Sequence, residues 1–158
     1  MRPPPFQVFL DAYREDVFRF LLHLVGPGEA EDCFQDTFLA ALRAYPRLRD
    51  ASNLKSWVLT IAHRKALDAH RARGRRPEPV EAVPDAESRA SLDGQAAGDP
   101  ELWRAVRSLP PKQRAAVVHR FVADLPYREI GQVMGTTEEA ARRSVHEGVR
   151  KLREVWKG

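Results

Sequence analysis

The chain has 158 residues, is 43% hydrophobic, carries a formal net charge of +4 at pH 7 and has one cysteine. That apolar content fills one ordinary core or two small ones, while the lone Cys33 excludes an internal disulfide and a cysteine-rich zinc site. No apolar run approaches the roughly 20 residues of a membrane-spanning helix, and Met1 to Pro5 does not lead from a charged stretch into an apolar one, so the expected compartment is the cytoplasm. The charge is segregated, with net −4 over residues 1–42, +8 over 43–76, −6 over 77–101 and +6 over 102–158. Two basic blocks around an acidic one suit two contacts with a polyanion, since Lys and Arg that neutralise phosphates release counterions. A merely solvated charged surface is the alternative reading.

Apolar residues recur at three- and four-residue spacing from Phe6 to Val25 and predict an amphipathic helix that stops at Gly26-Pro27-Gly28. A second helix is expected from Glu29 to about Tyr45, with Glu29, Glu31 and Asp32 in the first turn where the helix dipole favours acid. Its apolar face is Ala30, Cys33, Phe34, Thr37, Phe38, Ala41 and Leu42, which makes Cys33 a buried, inert thiol. After the loop RLRDASN a third helix should run from Leu54 to Arg73, burying Leu54, Trp57, Val58, Ile61, Ala62 and Leu67. Trp57, at helical spacing from Leu54 and Ile61, belongs with the core more than with a stacking platform for a base. Residues 74–98 then carry Gly74, Pro77, Pro79 and Pro84 and a run of small residues without periodicity, the composition of a linker.

Asp99 followed by Pro100 is an N-cap and first-turn pair, and opens a helix to about Ser108. Further helices are expected over Lys112 to Val122, with Ala115, Val118 and Phe121 or Val122 inward, over Tyr127 to Met134, and over Thr137 to about Trp156. The last two flank Gly135, as a helix-turn-helix requires: a short helix, a tight turn and a second helix free to enter the major groove. Ala141, Val145, Gly148 or Val149, and Leu152 mark its inner face, and Thr136 or Thr137 its cap. Glu138, Glu139, Arg142, Arg143, His146, Glu147 and Arg150 face out. The two glutamates suit the helix dipole, and a carboxylate in that place can also accept from a cytosine amino group.

The phrase LPPKQRAAVVHRFVADLPYREIGQVMG, starting at Leu109 and followed by the outer helix, resembles region 4 of bacterial sigma factors. EAEDCFQDTFLAALRAYPRLRD from Glu29, with NLKSWVLTIAHRKALDAHRARGRR from Asn53, is similar to region 2 of the extracytoplasmic-function group. That resemblance covers essentially the whole chain. It implies an all-α fold of two small helical domains, a region 2 bundle over 1–76 and a region 4 helix-turn-helix over 99–158, joined by a flexible acidic linker over 77–98.

It also implies a role for each surface. Asp32, Gln35, Asp36 and Thr37 match the positions that dock on the clamp helices of core RNA polymerase. Asn53, Lys55, His63, Arg64, Arg71 and Arg75 match the surface that recognises and melts the −10 promoter element. Thr136, Thr137, Glu138, Glu139, Arg142, Arg143, His146 and Arg150 match the reader of the −35 element. Many members read IARN where this chain has Ile61-Ala62-His63-Arg64, and many carry Val or Gly where it has Glu138 and Glu139, so base preference does not carry over. An anti-sigma protein covering both domains is the usual regulator. No catalytic set and no cofactor or metal site is expected, nor a fused domain after Gly158, and the free protein is expected to be monomeric. The rival reading is a stand-alone helix-turn-helix regulator that binds operator DNA unaided, which leaves the acidic second helix unexplained.

Overall fold

The computed structural model describes residues 2–75 and 99–156. The expected linker lies outside the described residues. The first domain consists of α1 (Phe6–Val25), α2 (Pro27–Ala44), a short 3-10 turn (Tyr45–Arg47) and α3 (Leu54–Arg75). The second consists of α4 (Pro100–Arg107), α5 (Pro111–Phe121), α6 (Tyr127–Met134) and α7 (Glu138–Val155). Helix α2 opens at Pro27 rather than Glu29, because proline is preset for the first helical position, where its missing N–H loses nothing.

The first domain buries Phe9, Val17, Phe20, Leu21, Ala30, Cys33, Val58, Leu59 and Ala62 between its three helices. Burial of a side chain such as Phe9 contributes about 1.5–3 kcal/mol. Phe9 also sits within an aromatic cluster, its ring centroid 5.3 Å from Tyr45 and 5.7 Å from Trp57. Trp57 is therefore a half-buried core residue, as its spacing predicts. Cys33 is buried, and burial, reinforced by the carboxylates of Glu29, Asp36 and Asp32, pushes its thiol up to about 11. Leu42 and Leu67 depart from their expected positions: they are 49% and 37% exposed, Leu42 lining a groove between α1 and α2 and Leu67 lining cavities beside the start of α5.

In the second domain Asp99 caps α4 by accepting from the Glu101 amide at 2.9 Å. Its other oxygen accepts from the Trp156 indole N–H at 3.1 Å, tying the domain's first helix to the end of its last. Helix α5 is buried at five successive residues, Ala115 to His119, whereas Phe121 is 63% exposed. An amphipathic helix with a solvent face hides only one stripe. Continuous burial means α5 is covered on two sides, by α7 and by α1 of the first domain.

The two domains accordingly share a core. Residues from both belong to one continuous cluster of buried side chains, with α1 against α4 and α5, and α3 against α6. The sequence predicts two units joined by a linker; in the structure apolar surfaces of the two meet. His23 stacks on Trp103 with centroids 3.8 Å apart, Phe20 packs on His119 at 4.6 Å, and His119 Nε2 lies 3.3 Å from His63 Nδ1.

Candidate nucleic-acid interface

The helix-turn-helix is built from α6 and α7. Gly135 ends α6 with φ 71° and ψ 35°, a left-handed conformation that costs a glycine little and lets the chain turn at once. Within α6, a Cβ on Gly131 would stand 2.9 Å from the Thr136 carbonyl oxygen, so only glycine lets the turn fold back this closely. Thr137 then caps α7, its hydroxyl accepting from the Ala140 amide at 3.0 Å. Ala141, Val145 and Gly148 are buried inward.

Thr136, Thr137, Glu138, Glu139, Arg142, Arg143, His146 and Arg150 are all exposed along α7 and its approach. Glu147 is half-buried instead, where Gln113 Nε2 donates to it at 3.3 Å. Tyr127 was not singled out in the sequence, yet it organises this surface. The Arg142 guanidinium lies 5.0 Å and that of Arg120 5.1 Å from the centre of its ring, and His146 meets its edge with centroids 6.3 Å apart. A cation held on an aromatic face is oriented before any partner arrives. Nothing in a helical period announces such a pairing, because Tyr127 and Arg142 lie on different helices.

On α3 the candidate residues divide. Arg64 and Arg71, seven apart, are exposed on one face, and Lys55 is half-buried. Asn53 is exposed but engaged: its Oδ1 accepts from the Ser56 amide at 3.1 Å, capping α3, and its Nδ2 donates to Glu129 of α6 at 2.6 Å. His63 departs from the expected exposed position, being only 5% exposed and pressed against α5 of the other domain. Burial, with the nearby Arg64 charge adding to it, holds its imidazole down to about 4, so it is neutral here. Arg75 lies in the last turn of α3, and its side chain falls outside the described residues.

On α2, Asp32, Gln35 and Asp36 are exposed as expected. Thr37 is fully buried, as its place on the apolar face of α2 predicts and contrary to the docking role the resemblance implies, and its hydroxyl donates to the Cys33 carbonyl at 2.6 Å. Beside Gln35 an apolar groove runs between α1 and α2, lined by Phe6, Leu10, Phe34, Phe38, Leu39 and Leu42. Leu39 is 51% exposed there. Helical spacing puts Leu42 on the inner face of α2, so nothing in the sequence marks this groove; in the structure Leu42 opens onto it. Among the described residues no group of three His, Cys, Asp or Glu side chains could hold a metal ion, and no helix is long and apolar enough to cross a membrane.

A bundle with one acidic and one basic helix, followed by a helix-turn-helix with an exposed outer face, is the architecture of a two-domain transcription initiation factor, and the family matches show that it is one. Residues 9–76 match Sigma-70 region 2, and residues 100–152 match Sigma-70, region 4. The chain belongs to the sigma-70 family of RNA polymerase sigma factors, and to its extracytoplasmic-function group. It is 33% identical over 150 residues to the RNA polymerase sigma factor CarQ of Myxococcus xanthus, covering 86% of this chain and 80% of that one. It is 25% identical over 158 residues to the ECF RNA polymerase sigma factor SigX of Bacillus subtilis (strain 168), covering 94% and 81%.

Its fold is that of the sigma factor RpoE in complex with the anti-sigma factor NepR from Bartonella quintana, with TM-score 0.77, 22% identity and 94% of each chain covered. CnrH in complex with the cytosolic domain of CnrY shares it too, with TM-score 0.68, 18% identity, and 95% and 86% covered. The match to region 2 accounts for the first domain, which a stand-alone operator-binding regulator leaves without a role.

Proposed function

We propose that this sigma factor docks on core RNA polymerase through Asp32, Gln35 and Asp36 together with the adjoining apolar groove of α1 and α2. A polar row beside exposed leucines suits a helical partner whose own apolar stripe enters the groove. Lys55, Arg64, Arg71 and Arg75 then form the cationic track for the −10 element, joined by Asn53 and His63 once the second domain moves away. Separated bases need such a track and aromatic or polar pockets rather than a nucleophile, and the chain itself is not an enzyme. It works in the cytoplasm, with an anti-sigma protein as a candidate regulator. The outer face of α7 reads the −35 element as duplex, Glu138 or Glu139 accepting from cytosine and Arg142 or Arg143 reaching guanine or phosphate.

The observation that carries this reading is the division of α7, whose buried Ala141, Val145 and Gly148 turn every candidate −35 residue outward. The test is reconstitution with bacterial core RNA polymerase and a panel of promoters. Asp36→Ala should weaken core binding on every promoter, and Arg142→Ala should lower initiation about tenfold or more on a subset of −35 sequences, the cost of a lost base contact. Failure to bind core while binding duplex tightly alone would return the stand-alone regulator.

A further inference from the structure

Three of the chain's five histidines, His23, His63 and His119, are buried, and all three lie where one domain meets the other. We infer that they form an acid-sensitive latch: neutral, they hold the two domains closed over Asn53 and His63, and protonated, they release them. The latch is a property of the closed form and holds whichever promoters the protein serves.

The geometry admits little charge. With His119 Nε2 and His63 Nδ1 3.3 Å apart, one nitrogen must carry a hydrogen and the other a lone pair. His119 Nδ1 is buried without a partner, so the less costly tautomer leaves a bare lone pair there and lets Nε2–H donate to His63. A proton on His119 would create an unpaired buried N–H on a cation, and protons on both rings would set two N–H groups against each other. His23 lies flat on Trp103 of α4; a proton there gains the indole face but sets a new cation against the charges of Arg107 and Arg19 in a buried place.

The charged groups around the three rings do not repair this. From its own helix His63 sees Arg64; the cavities that reach it are lined by Glu29 of α2, His70 of α3, Lys112 and Arg114 of α5, and Arg143 and Glu147 of α7. Cations outnumber the two carboxylates in that set. His119 faces His63 across the interface and the Phe20 ring from α1. His23 faces Arg19 from its own helix and Arg107 from α4.

The sign follows from these surroundings. Burial first, then the neighbouring positive charges, lowers His23 and His63 to about 4 from an ordinary 6.5, and His119 well below it. A base whose value is depressed in the closed form favours closure fully above its open-form value and loses that contribution as pH falls below it. Between pH 7.5 and 5.5 each such histidine shifts the open-to-closed ratio roughly tenfold toward open. Three acting together multiply, less whatever the imidazole pair saves by sharing one proton.

The test is small-angle scattering of the full chain between pH 7.5 and 5.5, with far-UV circular dichroism on the same samples. The radius of gyration should rise as pH falls below about 6.5 while helicity is kept. His119→Phe, which keeps a ring against Phe20, and His23→Phe, which keeps one against Trp103, should each cut the shift roughly tenfold and move the expansion to lower pH. An unchanged profile at the two pH values overturns the latch, as does expansion accompanied by loss of helix, or expansion with the same pH dependence in both variants. Should the variants not fold, the ring resonances of the three histidines in the natural chain decide it: titration in step with expansion supports the latch, and titration near 6.5 in a chain that stays compact overturns it.

Discussion

Single residues on this chain are tuned by neighbours that the sequence places far away. Cys33 shows this simply, since its thiol is packed among apolar side chains and acid lines the start of α2, so the thiolate forms only near pH 11. Iodoacetamide at pH 8 should leave the folded chain unmodified for hours and label it within minutes in urea; equally fast labelling in both would place the thiol on the surface. Thr137 supplies a second case. Its hydroxyl satisfies the Ala140 amide, so Thr137→Ala should cost about 1 kcal/mol in a denaturant titration. Thr137→Ser keeps the capping hydroxyl and removes only the methyl, so it should retain nearly all of that stability.

At the scale of elements, the helices themselves were legible because each carries its own punctuation. Pro100 after Asp99, the Pro110-Pro111 break and Gly135 mark ends that need no tertiary information, and α6 runs from Tyr127 to Met134 as predicted. Which faces are buried was legible only where a helix meets one neighbour. Helix α5 hides Ala116, Val117 and His119 as well as its predicted stripe because α1 lies across its back, and that contact joins residues about a hundred positions apart. The resemblance implies outward roles for Thr37 and His63, yet both are buried; for Thr37 the helical spacing, which puts it on the apolar face of α2, is the better guide. Gly131 is the element-scale test of the turn. A methyl there meets backbone atoms of Thr136 and Thr137 at 2.9–3.0 Å, atoms that cannot swing aside as a side chain can. Gly131→Ala should therefore destabilise the chain by about 1–3 kcal/mol, the range for overpacking. It should also lower use of all −35 elements alike, because the approach of α7 shifts as a unit.

Across the whole molecule, the closed arrangement makes the two proposed promoter surfaces unequal before any polymerase is present. The outer face of α7 is open to solvent, whereas on α3 His63 is buried and Asn53 is tied to Glu129. Free protein should therefore bind a −35 duplex better than a −10 single strand. Glu129→Ala removes the tie, and a hydrogen bond to a carboxylate at an exposed site contributes on the order of 1 kcal/mol, so binding of a −10 oligonucleotide should tighten about fivefold. Removing an acid also draws DNA closer by electrostatics alone, and Glu129→Gln controls for that. The glutamine loses the same charge but keeps an oxygen that can accept from Asn53 Nδ2, so it should bind the oligonucleotide nearly as weakly as the natural chain. If the Gln and Ala variants bind equally well, the gain comes from charge, and the second domain does not restrain α3. If only Ala gains, and the difference vanishes once core polymerase is added, the domains are held together in the free protein and drawn apart on the enzyme.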